Sequence, residues 1–102
     1  MYRARDAVEN EEWVAAIEEA GERLDLGTEA RSRAVDLFLT NVPEADRSKR
    51  AVLAASVYVG ALTTGEQRSQ TAVADATGVS RLAIQTRWKD LLESAGFDAP
   101  EW

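Results

Sequence analysis

Residues 51–62 read AVLAASVYVGAL, twelve positions without a charge. Coiled as a helix, this stretch has no face left for water. A helix that is apolar all round must be covered by other elements. At twelve residues it is also too short for a membrane span, which needs about 20. Its small residues, Ala51, Ala54, Ala55 and Gly60, allow neighbouring backbones to come close. The pattern predicts a buried central helix over 46–63, with Asp46 as N-cap and Gly65 just past its end.

The flanking sequence supplies the cover. Nothing alternates with period two for long, and no repeat or low-complexity stretch interrupts the helical period. A first helix is predicted over 10–24. Asn10 is its cap, Glu11 and Glu12 suit its positive end, and Trp13, Ala16, Ile17, Ala20 and Leu24 form one apolar stripe. Gly27 marks the break after it. A second helix over 28–41 buries Ala30, Ala34, Leu37 and Phe38 and stops at Val42-Pro43, because the residue before proline avoids helical dihedrals. The central helix is thus the third of five.

The segment 71–92 carries the most functional information. A fourth, short helix over 69–77 ends at Gly78, and a fifth starts at the N-cap Ser80. Val79 and Ile84 are spaced as a hydrophobic staple, and Ile84, Trp88, Leu91, Leu92 and Ala95 make one buried stripe. Gly96 followed by Phe97 reads as a Schellman-type end. Ala74, Gly78, Val79 and Ser80 have the spacing of a helix-turn-helix over about 69–95, although a plain corner between two helices has the same ingredients. At about 100° per residue, Leu82, Thr86, Lys89 and Glu93 lie opposite the buried stripe, with Gln85 at its edge and Arg81 at the exposed start. In such a unit the opening residues of the second helix reach base edges. Leu82 suits a thymine methyl and Gln85 an adenine edge. Arg81, Lys89, Arg68, Ser69 and Thr71 are the candidates for phosphate.

Composition narrows the function classes. The 102 residues make one domain, with 1–9 a lead and 10–98 the folded unit. There is no His and no Cys, which excludes Ser-His-Asp and Cys-His nucleophiles, disulfides and zinc ribbons. No cofactor, metal or small-molecule substrate is expected, and no enzymatic activity. Glu18, Glu19 and Glu22 read as a solvated face. Without a signal peptide or membrane span, a cytoplasmic protein is expected.

The net charge is −6, but it is segregated. Residues 1–30 hold nine acids and three bases, whereas residues 47–89 hold two acids and seven bases. Only two of the twelve basic residues are Lys, a balance that resembles proteins of a salt-accumulating cytoplasm.

Several pieces in order resemble a known family. They are Leu24-Asp25-Leu26, Ala54-Ala55-Ser56-Val57-Tyr58-Val59, Arg68-Ser69-Gln70, Val73-Ala74, Gly78-Val79-Ser80, Ile84, Arg87-Trp88-Lys89-Asp90-Leu91 and Gly96-Phe97-Asp98-Ala99-Pro100. Across residues 10–100 the chain resembles the second cyclin-like repeat of archaeal transcription factor B, the relative of eukaryotic transcription factor IIB. The resemblance implies an all-α, five-helix cyclin-like domain with a buried third helix and a C-terminal helix-turn-helix. It also implies a role in transcription initiation on double-stranded promoter DNA, with TATA-binding protein as a possible partner. The family's two contact positions in the last helix align with Leu82 and Gln85. Arg is usual where Gln85 stands, Tyr where Trp88 stands, and a capping Glu where Ala72 stands.

The family's zinc ribbon, polymerase-entering finger and first repeat have no counterpart here, so recruitment of polymerase by the usual route is not expected. The chain is either an excised domain or a stand-alone single-repeat relative, and Met1 favours the second. The alternative function is a cyclin-like protein-interaction module without DNA binding, docking through its acidic first helix.

Overall fold

A computed structural model describes residues 10–43 and 45–97, and for Asp46 and Arg47 the backbone alone. The expected lead over 1–9 and the chain from Asp98 on lie outside the described residues. Five helices and no strand occur among those described: α1 (Glu11–Arg23), α2 (Thr28–Thr40), α3 (Asp46–Thr63), α4 (Gln70–Thr77) and α5 (Arg81–Ser94).

The apolar run behaves as its composition dictates. Every residue from Val52 to Ala61 is buried. The other four helices all contact α3, with α2 and α5 forming its largest interfaces. Ser56, in the middle of this hub, donates to the Val52 carbonyl at 2.7 Å and so enters the core satisfied. Gly60 is where α2 comes closest. A Cβ there would stand 2.9 Å from both the Ala30 carbonyl oxygen and the Ala34 amide nitrogen. Two aromatic contacts fix the flanks. Tyr58 of α3 meets Trp88 of α5 edge to face, with ring centroids 5.6 Å apart. Trp13 of α1 leans on Phe38 of α2 at 6.2 Å. Trp13 is only half-buried, so the α1 stripe is wetter at its start than the spacing predicts.

The helix ends refine four expectations. The break after α1 belongs to Asp25 rather than Gly27. Asp25 adopts φ 56°, its amide donates to the Glu22 carbonyl, and the Leu26 amide donates back to Gly21, closing a Schellman motif on the buried Leu26. Gly27 instead precedes α2 in extended conformation. Ala45 occupies the N-cap of α3, and Asp46 is already helical. Asn10 stands at the N-cap of α1, but its side chain makes no capping hydrogen bond. The Ser80 cap of α5 is as read, and Ser69, expected inside α4, is instead its N-cap. Ser69 Oγ accepts from the Ala72 amide at 3.0 Å, and Ser80 Oγ accepts from the Ala83 amide at 3.2 Å.

Candidate nucleic-acid interface

The corner between α4 and α5 is built by local chemistry and anchored by the core. Gly78 ends α4 with φ 72°, a conformation that costs a residue with a Cβ roughly 1 kcal/mol or more. Val79 turns in toward the core, and Ser80 starts α5. Val73 and Thr77 of α4, with Ile84, Trp88, Leu91 and Leu92 of α5, are buried. The Thr77 hydroxyl returns to the Val73 carbonyl at 2.8 Å. At its far end α5 closes with the Gly96 amide on Glu93 and the Phe97 amide on Leu92. Phe97 stays 46% exposed, so this Schellman motif lacks a fully covered hydrophobic clasp.

With its inner stripe clamped, α5 turns a fixed strip outward. Leu82 is 70% exposed, the more exposed of the two large hydrophobic residues that face solvent among those described. Arg81, Gln85 and Thr86 are also exposed, and Lys89 is half-buried with Nζ 5.8 Å from the Trp88 ring centroid. Leu82, Gln85 and Lys89 follow one another at helical neighbour spacing. Gln70, at the start of α4, joins this strip from the side. Gln70, Gln85, Trp88 and Lys89 line a hollow of about 260 Å³. Ser69 and Thr71, the residues either side of Gln70, are exposed.

Arg68 does not stand with this group. Its Nε donates to the Leu24 carbonyl at 2.9 Å and its Nη2 to Asp25 at 3.1 Å, while Nη1 donates to Glu66 at 2.8 Å. The guanidinium is a tie between the end of α1 and the α3–α4 loop. A group that already gives its donors to three carbonyls has little left for phosphate. Next to it, the Glu66 carboxylate accepts from the Gly27 amide at 3.0 Å and supplies α2 with an acid at its positive end. Neither role has a sequence signal, because donor and acceptor lie 39 to 44 residues apart. Gln70 was equally silent, since a polar residue opening a helix is ordinary.

The first helix, α1, exposes Glu11, Glu12, Glu18, Glu19 and Glu22. Arg23 pairs with Glu19 and also donates to the Ala76 carbonyl, tying this acidic helix to the end of α4. Both charged partners are more than half exposed, so the pair adds little stability. No helix among the described residues is long and apolar enough to cross a membrane.

Four helices wrapped on a buried third, five in all among the described residues, define an all-α domain of the cyclin-like kind. Comparison of sequences narrows this to one family. The family described as "Transcription factor TFIIB repeat" matches residues 9–94, and the chain belongs to it. Among its relatives, "Transcription initiation factor IIB 1" of Thermoplasma volcanium is 35% identical over 74 residues, covering 70% of this chain and 24% of that protein. "Transcription initiation factor IIB" of Methanoculleus marisnigri is 36% identical over 74 residues, covering 69% of this chain and 22% of that protein. The Pyrococcus abyssi protein of the same name is 28% identical over 82 residues, covering 78% and 27%. The chain therefore spans about a quarter of the length of these relatives.

Proposed function

We propose that this chain is a promoter-associated DNA-binding protein of the transcription-initiation-factor-B type, whose α4–turn–α5 unit enters the major groove as a helix-turn-helix. The reading is carried by one observation. An apolar side chain, Leu82, and an amide, Gln85, stand exposed on the first turns of a helix whose other side is locked into the core. Leu82 and Gln85 then read base edges, while Arg81, Lys89, Ser69 and Thr71 hold phosphates. TATA-binding protein is the proposed protein partner. The role is one of binding and not of catalysis.

Fluorescence anisotropy on random and A/T-rich duplexes at several salt concentrations tests the reading. Leu82→Ala and Gln85→Ala should lose sequence preference, at about 1–3 kcal/mol per lost base contact. Arg81→Ala and Lys89→Ala should weaken all sequences alike. Equal effects of all four substitutions on every sequence argue against direct readout. The exposed acidic face of α1 supports a second reading, a protein-interaction module for a basic partner. Absence of DNA binding at every salt concentration would favour it. The acidic, lysine-poor surface also supports a working environment of concentrated salt.

A further inference from the structure

A carboxamide that reads a base has a problem that an arginine does not. Its two ends differ, one oxygen acceptor and one NH₂ donor, and rotation about the last torsion exchanges them. An adenine edge offers N7 as acceptor beside N6–H as donor, so only one orientation of the amide fits. Guanine offers two acceptors, N7 and O6, and leaves the amide oxygen facing another oxygen. A glutamine whose amide is not held in orientation reads poorly, and fixing so flexible a side chain on contact costs rotamer entropy.

Gln85 is such a residue. Its backbone is fixed by Ile84 and Trp88 on the buried stripe, while its side chain is exposed. Across the hollow stands Gln70, on a different helix, with Trp88 and Lys89 completing the lining. Neither glutamine amide has a hydrogen-bond partner among the described residues. The neighbours at this corner are otherwise engaged. Ser69 Oγ accepts from Ala72, Thr86 Oγ1 donates to the Leu82 carbonyl, and Lys89 sits over the Trp88 ring. The hollow between α1 and α4 differs, because there Arg23 is already tied to Glu19 and to Ala76.

We propose that Gln70 is a positioning residue that sets the Gln85 carboxamide in the orientation that reads adenine, so that the chain selects an A·T pair where an arginine would select G·C. The proposal rests on the DNA-reading function above and deepens it. Two carboxamides are complementary to one another. The Gln70 NH₂ can donate to the Gln85 oxygen from the protein side. That oxygen keeps its second lone pair for adenine N6–H, and the Gln85 NH₂ points at N7. Gln70 acts only through Gln85, which defines its signature.

The test is selection from a randomised duplex pool by the full chain, with sequencing of the bound fraction. Anisotropy then follows on a selected duplex and its single A·T to G·C substitution. The wild-type pool should enrich an adenine, and the paired duplexes should differ in affinity by about tenfold or more. Gln85→Ala should remove that enrichment. Gln70→Met, which keeps the length of the side chain, should reduce the A-over-G ratio several-fold at that one position and leave the thermal midpoint unchanged. Gln70→Glu, which keeps the acceptor but loses the donor, should behave like Gln70→Met. The double substitution Gln70→Met, Gln85→Ala should discriminate no worse than Gln85→Ala alone, because the two residues act as one unit.

Three outcomes overturn something specific. A wild-type pool with no enriched position overturns the DNA-reading function itself. An enriched adenine that Gln85→Ala removes and Gln70→Met leaves intact overturns this inference alone. Losses from the two residues that add independently also overturn it.

Discussion

At the scale of single residues, Gly60 shows how little space separates function from failure in this fold. It lies in the hub helix, where alanine would normally be favoured over glycine by up to about 1 kcal/mol. The close approach of α2 reverses that preference, because the added methyl meets the backbone of Ala30 and Ala34, which cannot swing aside. Gly60→Ala should therefore destabilise by about 1–3 kcal/mol through overpacking. Thermal unfolding would read this as a midpoint lowered by several degrees, and an unchanged or raised midpoint would contradict the packing argument. The same scale explains why Leu82 and Gln85 were legible from sequence. Their outward direction follows from the helical angle between them and Ile84 or Trp88, which requires no knowledge of the rest of the chain.

At the scale of elements, the joints between helices carry what the helices cannot. Arg68 ties three backbone carbonyls that belong to the end of α1 and the α3–α4 loop. Arg68→Ala should cost about 1–3 kcal/mol, since it leaves partly buried carbonyls without their charged donor. Arg68→Lys should recover little of this, because an ammonium cannot span the carbonyls as the planar guanidinium does. Denaturant unfolding measures the loss, and DNA affinity per folded molecule should stay near that of the wild type. A large loss of affinity with unchanged stability would return Arg68 to the phosphate-binding set. The caps form a second joint. Ser69→Ala and Ser80→Ala each remove an observed capping bond and should lower stability by about 1 kcal/mol.

At the scale of the whole molecule, exposed carboxylates concentrate on α1, whereas Arg81 and Lys89 lie on α5. The acidic face of α1 and the α4–α5 corner set two opposing salt effects. With Arg68 engaged internally, Arg81 and Lys89 are the cations of the proposed interface. The logarithm of affinity should then fall with the logarithm of salt at a slope of about −2, rather than the −3 or so expected if Arg68 held a phosphate as well. Titration over 50–200 mM salt distinguishes these values. Stability should move the other way. Crowded carboxylates on α1 repel one another at low ionic strength, and screening at about 1 M salt shortens the reach of that repulsion to about 3 Å. The unfolding midpoint should rise from dilute to molar KCl. A flat or falling midpoint would speak against a salt-adapted surface.

Sequence by itself determined the five helices, most of their ends and the burial of the third. These are properties of period, capping and composition, which act over three or four residues. It equally determined the outward strip of α5, because one buried stripe fixes the opposite face of the same rod. Only the tertiary structure decided that Arg68 ties the end of α1 to the α3–α4 loop, that Glu66 caps α2 from across the fold, and that Gln70 shares a hollow with Gln85. Each of these depends on which residues from separate helices come within a few ångströms, and that is settled by how rods of given shape pack around α3. No local pattern encodes that distance.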